Sequence, residues 1–170
     1  MSNDAEFGIA AAVIAVAWAH GIMTGLVSTG GRTPVAVIER GIAFTCTPVT
    51  VWDGDGPVKC AEGPKLRLAG IAAREIDGSC RLGQPCPDAT GIESRDALVR
   101  LLGGPRGITR NKHIVVRGPK LACASEGSAR GGRTAAWCTL PDGRDLSCAM
   151  IKTGTAVRWS RYDRKNRCRA

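Results

Sequence analysis

Residues 65–75 read KLRLAGIAARE, and the rest of the chain is organised around them. Leucines alternate with charged residues in KLRL, a pattern typical of a half-buried β-strand, here carrying Arg67. The following Ala-Gly pair favours a tight turn, and Glu75 comes eight residues after Arg67. Upstream, residues 51–56 read VWDGDG, an acidic turn between two strand-like runs. Downstream, residues 129–137 read ARGGRTAAW, a Gly-Arg hairpin that enters another strand.

The same reading along the chain predicts a mainly β domain with helices, of the α+β class. Thr90 and Glu93 form a capping box for a helix that ends at the Gly103-Gly104-Pro105 segment. This helix is expected to bury Ile92, Leu98, Leu101 and Leu102. A second helix begins at Asp145 or Ser147 and ends at Gly154. Five strands are predicted, at residues 44–52 (with an edge or bulge at Pro48), 58–60, 65–71, 113–117 and 133–140.

The order of acidic turn, arginine strand and Gly-Arg hairpin resembles the staphylococcal nuclease (thermonuclease) family. The late run DGRDL…MIKTGTA, between Asp142 and Ala156, adds to the resemblance, which covers residues 42–167. It implies a five-stranded OB-fold barrel with two or three helices. The sequence pattern agrees, because five strands with a helix between the third and fourth is the OB-fold order.

The resemblance also implies a catalytic site. Arg67 and Arg133 match the two arginines that bind the phosphate in that family, and Glu75 matches its general base. Asp55 matches one calcium-ligating aspartate, and the backbone carbonyl of Ala73 matches another ligand. These residue types suit phosphodiester hydrolysis, because guanidinium groups pair with phosphate oxygens and a carboxylate activates water. Ca²⁺ is the implied cofactor, held by oxygen ligands.

One position departs from the family pattern. The family has an aspartate as a calcium ligand where this chain has Ala72. Three outcomes follow: Asp53 compensates, a divalent metal other than calcium is used, or the site has lost catalysis and only binds phosphate. Residue by residue, a purely structural interpretation also exists, in which Arg67 pairs with Glu75 and the two aspartates serve the turn.

The charge distribution indicates a polyanionic partner. The formal net charge is +9, and all 24 lysines and arginines lie from Arg32 onward. The last segment, residues 158–170, holds six basic residues and a single acid, Asp163. A basic domain of this size suggests a polyanionic partner, most often nucleic acid, bound without sequence preference; the alternative is a basic surface that is only solvated. Aromatic residues make up only 4% of the chain, so its core is expected to be mostly aliphatic.

Eight cysteines predict disulfides and an oxidising compartment, since no Cys-x-x-Cys pair points to zinc. Cys46 and Cys60 are symmetric about the acidic turn, and Cys123 and Cys138 are symmetric about the Gly-Arg hairpin, so each pair is expected to face across its hairpin. Cys80 and Cys86 close a short loop. By elimination, the last bridge joins Cys148 to Cys168.

The N-terminal segment, residues 1–31, is apolar and has no charged residue from Phe7 to Gly31. Residues 8–29 are long enough for a helix that anchors the chain in a membrane, or they act as a signal-like segment. Residues 32–41 then form a linker, and residues 42–170 form the nuclease-like domain. With the cysteines, this predicts an exported protein, periplasmic or extracellular, either secreted or membrane-anchored.

Three functions remain open at this point. The first is a metal-dependent nuclease acting on DNA or RNA. The second is a catalytically inactive OB-fold module that binds single-stranded nucleic acid or another polyanion. The third is a disulfide-bonded interaction domain of the cell envelope with no role in nucleic-acid chemistry.

Overall fold

A computed structural model describes residues 36–169, which contain ten strands and two helices. The strands are β1 (Ala43–Cys46), β2 (Pro48–Val51), β3 (Val58–Cys60), β4 (Lys65–Leu68), β5 (Ile71–Ala72), β6 (Pro105–Ile108), β7 (Ile114–Val116), β8 (Leu121–Ser128), β9 (Thr134–Thr139) and β10 (Val157–Arg158). The helices are α1 (Gly91–Leu101) and α2 (Leu146–Lys152). Eight strands form one curled sheet in the order β1-β8-β9-β4-β3-β2-β7-β6, and β10 pairs with β5.

The predicted α+β class is confirmed, but the prediction of a five-stranded OB-fold barrel is wrong, because eight strands form the main sheet and two more pair separately. The run 44–52 is divided at Thr47, so that β1 pairs with β8 while β2 pairs with β3 and β7. The register of β2 shifts between Pro48 and Thr50, which confirms the predicted irregularity at the proline. The run 65–71 is likewise broken at Gly70, whose φ of 73° lies in the left-handed region.

Two sheet strands were missed because their sequences are poor strand formers. β8 reads LACASEGS and β6 reads PRGI, and both combine small, polar or turn-forming residues. Pairing with neighbours overrides this weak local preference. β8 lies between β1 and β9 and pairs with both, so it connects the edge of the sheet to the Gly-Arg hairpin.

Both predicted helices form, and their caps are the expected ones. The Thr90 hydroxyl accepts from the Glu93 N–H at 3.2 Å while the Glu93 carboxylate accepts from the Thr90 N–H at 2.7 Å, which completes the capping box. Asp145, rather than Ser147, caps α2 by accepting from the Cys148 N–H at 3.0 Å. The prediction that Ile92 is buried is wrong: it is 51% exposed, because it lies on the outer face of the first turn of α1.

The main core is aliphatic, as the low aromatic content predicts. It lies between the sheet and the two helices, which contact each other. Its largest fully buried side chains are Leu66, Leu68, Ile71, Leu98, Leu102, Leu121, Leu146 and Met150. Leu66 and Leu68 alternate with Arg67 on β4, so the strand that fills the core also presents an arginine on its other face.

All four predicted disulfides are present: Cys46–Cys60, Cys80–Cys86, Cys123–Cys138 and Cys148–Cys168. Cys123 lies directly opposite Cys138 across the β8–β9 hairpin, as expected. The predicted register of the other hairpin is wrong, because Cys60 lies opposite Pro48 and its bridge reaches the end of β1. Four disulfides in a small domain indicate folding in an oxidising environment.

The C-terminal segment is fastened by one buried carboxylate as well as by the last disulfide. Asp163 accepts from Arg158 Nε at 2.7 Å and from the backbone N–H of Arg167 at 2.8 Å, while Cys168 bridges to α2. Burial alone would raise the pKa of Asp163. The hydrogen bonds from Arg158 and from the Arg167 and Cys168 amides outweigh it and hold this pKa below its usual value.

Asp163→Asn is expected to lower the free energy of unfolding by about 2–3 kcal/mol at pH 7, because it leaves Arg158 without its carboxylate. A lowered pKa contributes stability that is present above about pH 4 and is lost as pH falls through the folded-state pKa. The gap between variant and wild type should therefore shrink below about pH 4. Urea unfolding with intact disulfides at pH 7 and pH 3 measures it. Asp142→Asn, which removes an exposed pair with Arg144, is the control and should change little.

The predicted N-terminal helix and most of the linker lie outside the described residues. Of the linker, residues 36–41 are described and bond to the sheet: the Ile38 N–H donates to Thr134 Oγ1 at 3.0 Å, and the Gly41 N–H donates to the Ser125 carbonyl at 2.8 Å. Among the described residues, neither helix has the length and hydropathy needed to cross a bilayer.

Candidate functional site

The acidic turn between β2 and β3 buries two carboxylates side by side. Asp53 and Asp55 are each only 4% exposed. Asp53 Oδ1 accepts from the N–H groups of Asp55 at 3.1 Å and Gly56 at 2.8 Å, so part of its role is to hold the turn. Gly54 between them is required by packing, because a Cβ there would lie 1.8 Å from Ser94 Oγ on α1. Helix α1 therefore packs directly against the turn.

Asp55 connects the acidic turn to the arginine strand. One of its carboxylate oxygens pairs with Arg67 on β4, and the other accepts from the Ala73 N–H at 3.2 Å. The Asp55 carbonyl also accepts from the Leu68 N–H at 2.8 Å. The structural interpretation that paired Arg67 with Glu75 is wrong, since the partner of Arg67 is Asp55. Arg67 is 17% exposed at its side chain, so it still reaches the surface.

The two aspartates leave an excess of negative charge in the turn. Burial, with the nearby charge of Asp55, raises the pKa of Asp53 to about 7. Burial also raises the pKa of Asp55, although Arg67 opposes it. The charge of Glu75 adds to both shifts. A single arginine therefore does not neutralise this group of carboxylates, and a proton or a cation would stabilise it.

Glu75 follows β5 and is held by a turn and a helix. Its N–H donates to the Ser79 carbonyl at 2.9 Å, and its own carbonyl accepts from the Gly78 N–H at 2.9 Å. A Cβ at Gly91 would lie 2.1 Å from the Glu75 carbonyl oxygen, so the first residue of α1 packs directly against this backbone. The Glu75 carboxylate forms an ion pair with Arg81, with 2.8 Å between Oε1 and Nε.

Arg133 stands at the entrance to β9. Its Nε and Nη2 donate at 3.3 Å to the carbonyls of Arg130 and Ala129 in its own hairpin. The pKa of Arg133 is lowered, mainly by partial burial and to a smaller extent by the positive charges of Arg67 and Arg81. β9 runs parallel to β4, with Arg67 opposite Ala135, which brings the Gly-Arg hairpin beside the arginine strand. Three arginines from distant parts of the sequence thus converge.

Four of these groups line an open surface pocket of about 270 Å³: Asp53, Glu75, Arg81 and Arg133. Of the residues predicted from the sequence, Glu75 and Arg133 line it, and so does Asp53. Asp55 and Arg67 do not line it: Asp55 is buried in the same turn as Asp53, and Arg67 is a partly exposed side chain paired with Asp55. The full lining consists of Trp52, Asp53, Pro57, Lys65, Glu75, Arg81, Gly131 and Arg133.

The two alanines at the expected metal-ligand positions, Ala72 and Ala73, are both buried. Ala72 is fully buried on β5, opposite Val157. The Ala73 carbonyl, the predicted metal ligand, accepts from the side-chain amide of Gln84 at 2.6 Å. Among the described residues, the sets of three side chains close enough to share a metal ion both contain disulfide-bonded cysteines, and neither includes Asp53, Asp55 or Glu75. The acidic residues are thus near one another without forming a ready-made cage.

Sequence reasoning missed several lining residues. Arg81 belongs to the Cys80–Cys86 loop, which has no strand or helix periodicity to show where its side chains point. Lys65 and Trp52 looked like ordinary strand residues. The one available signal was the short disulfide itself, because a closed loop directly after Glu75 has little freedom to lie elsewhere.

The chain matches no protein-family model and no curated protein.

Proposed function

We propose that this domain hydrolyses phosphodiester bonds of DNA or RNA, without sequence preference, with the help of a divalent cation. The observation that carries the proposal is the joint lining of one open pocket by Asp53, Glu75 and Arg133, with the Asp55–Arg67 pair beside it. These residues come from four separate segments of the chain. Carboxylates and guanidinium groups facing one exposed pocket suit a phosphodiester, which needs charge neutralisation and an activated water.

Each side chain has a role that its environment supports. Arg133 is half-exposed at the rim and carries the donors that pair with phosphate oxygens. Arg67 adds positive charge from the neighbouring strand. Glu75 is mostly shielded, at 22% exposure of its side chain, and is the carboxylate best placed to take a proton from the attacking water.

The residues fit a loosely held, hydrated cation better than a caged one. Calcium prefers six to eight oxygens, whereas magnesium is held by one or two carboxylates with water and substrate phosphate completing its shell. Here Asp53 and Asp55 lie buried with raised pKa values, so positive charge is favoured, but Ala72 contributes no carboxylate. When bound, the cation would stabilise negative charge on the reacting phosphate. Asp55 and Asp53 are the residues that would hold it.

The resemblance to the staphylococcal nuclease family supports this proposal and adds expectations about the fold and the place of action. It implies that the curled sheet is an enlarged relative of the OB-type barrel, with eight strands in place of the expected five. It also gives the disulfide-bonded domain a place of action, among nucleic acids outside the cytoplasm, in the periplasm or the medium.

A plasmid-nicking assay tests the proposal directly. The full chain, oxidised, is incubated with supercoiled DNA in calcium, in magnesium and in chelator. Relaxed and linear products are expected with at least one of the metals and absent in chelator. Intact plasmid under all three conditions, together with an intact single-stranded RNA substrate, would refute hydrolysis.

Ala72→Asp probes the missing ligand. It is expected to tighten calcium binding about tenfold, because it returns a carboxylate to the cation. It should also lower the free energy of unfolding of the metal-free domain by about 3 kcal/mol, because a buried carboxylate there has no partner. Calorimetric titration with calcium and urea unfolding in chelator measure the two effects. Ala72→Asn is the matched neutral control. Unchanged calcium affinity in Ala72→Asp would mean that position 72 does not face the cation.

A second candidate is a non-catalytic module that binds single-stranded nucleic acid. It is favoured by the pairing of Asp55 with Arg67, which leaves few carboxylate oxygens for a metal. It is also favoured by Tyr162, which is 54% exposed and contacts the Trp159 ring edge-on, with 4.7 Å between ring centroids. Exposed rings near basic residues provide surfaces on which bases stack. Salt-dependent binding without cleavage under any metal condition would establish this candidate instead.

A further inference from the structure

Arg81 is an exposed arginine at the open pocket. It follows Cys80 directly and lines the pocket together with Glu75 and Arg133. Its guanidinium is paired with the Glu75 carboxylate, yet its side chain is 59% exposed. An ion pair exposed to this degree is held weakly and is readily exchanged.

The loop that carries Arg81 is fastened to the site from several sides. Cys80–Cys86 closes it, with 5.8 Å between the two Cα atoms. Gln84 donates from its side chain to the Ala73 carbonyl at 2.6 Å and from its N–H to the Arg81 carbonyl at 2.9 Å. Arg74 donates to the Gly78 and Pro87 carbonyls on either side of the loop, both at 2.9 Å. Arg81 is therefore presented by a closed loop and not by a freely moving one.

The other two arginines of the site have less capacity for a ligand. Arg67 is partly buried against Asp55, and Arg133 donates to two carbonyls of its hairpin. Within residues 36–169, the guanidinium of Arg81 forms only its ion pair with Glu75. Its two terminal nitrogens thus retain the parallel donors that bind two phosphate oxygens at once.

We propose that Arg81 is a third phosphate-binding arginine of this site, presented by the Cys80–Cys86 loop, and that it exchanges Glu75 for a phosphate of the incoming nucleic acid. The inference rests on the proposed function, because it assigns the phosphate of that substrate. The exchange has a consequence for Glu75: once Arg81 holds the phosphate, the carboxylate is free to accept a proton from water. Before substrate arrives, the same ion pair keeps Glu75 in place.

The test is binding of a labelled single-stranded oligonucleotide to the full, oxidised chain in chelator, measured by fluorescence anisotropy at several salt concentrations. Arg81→Gln is expected to weaken binding about tenfold and to reduce the slope of log affinity against log salt by about 0.7, the value for one lost phosphate contact. Arg81→Lys should keep most of the slope, because it keeps the charge. Arg144→Gln, an exposed arginine on the turn after β9, is the matched control and should keep wild-type affinity and slope.

Two further variants test the loop and the exchange. Cys80→Ser/Cys86→Ser opens the loop and should bind as weakly as Arg81→Gln, with circular dichroism and thermal unfolding showing that the fold is kept. Glu75→Gln releases Arg81 and should tighten binding about twofold to fivefold, which corresponds to an exposed ion pair.

The outcomes separate this inference from the proposed function. Wild-type affinity and slope in Arg81→Gln would overturn the role of Arg81 even if the chain cleaves DNA. Normal salt-dependent binding that falls in Arg81→Gln, with no cleavage in any metal, would uphold the role of Arg81 and refute hydrolysis. Unchanged binding in the opened-loop variant would overturn presentation by the disulfide.

Discussion

Replacing Glu75 with glutamine is expected to reduce metal-dependent nicking of plasmid DNA by about 10²–10⁴-fold, the contribution typical of a positioned general base. Glutamine has nearly the same shape as glutamate but cannot take a proton from water. Its backbone contacts with Ser79 and Gly78 and the packing of Gly91 do not depend on the carboxylate, so the fold is expected to remain.

The measurement is the initial rate of nicking at saturating metal, with DNA affinity followed in parallel in chelator. Affinity should rise about twofold to fivefold, since Arg81 loses its partner. Glu62→Gln serves as a matched control, because Glu62 is an exposed glutamate bonded to Thr47 at the far end of the β2–β3 pair and should leave the rate unchanged. A Glu75→Gln variant that nicks at the wild-type rate would remove Glu75 from the mechanism.

Replacing Arg67 with glutamine is expected to lower the stability of the domain strongly. Arg67 is the only positive partner in contact with the buried Asp55 among the described residues. Its loss should lower the free energy of unfolding by about 3 kcal/mol at pH 7 in chelator, because a buried carboxylate is left without its counter-charge. The deficit should shrink as pH falls, since burial already raises the pKa of Asp55 and the unpaired carboxyl takes up a proton more readily.

Divalent metal should partly replace the missing arginine. The unfolding temperature of Arg67→Gln is expected to rise more on adding calcium or magnesium than that of the wild type, because the cation no longer competes with Arg67 for Asp55. Arg67→Gln/Asp55→Asn is the matched control: it removes both charges, should be less destabilised than the single variant, and should not respond to metal. Equal metal responses in the single and double variants would contradict cation binding at Asp55.

The candidate site was predictable where local sequence determines local geometry. Asp53 with two glycines specifies a turn through its own side-chain hydrogen bonds, and this turn is present. The KLRL alternation placed Arg67 on a strand with its neighbours in the core. The partner of Arg67 could not be predicted. Asp55 and Glu75 are both near Arg67 along the chain, and only the tertiary packing decides which carboxylate pairs with it.

The disulfides likewise separate what local sequence predicts from what tertiary packing decides. The symmetry of Cys123 and Cys138 about the Gly-Arg hairpin was enough to pair them, because hairpin residues at equal distances from the tip face each other. The symmetry of Cys46 and Cys60 gave the right bridge with the wrong register. A bulge at Pro48 and a change of partner at Thr47 move Cys46 out of the hairpin and onto β1.

The sequence by itself determined the features set by short-range chemistry: the capped helices, the acidic turn, the arginine strand, the pairing of the cysteines and the aliphatic core. The number and order of strands were decided by the tertiary structure, because β8 and β6 have little strand preference of their own and form only by pairing with neighbours. The pocket was decided there as well. The arginines of the site repel one another, and no local sequence pattern predicts that they lie close together. The parallel pairing of β4 with β9 and the closed Cys80–Cys86 loop hold them there despite this repulsion.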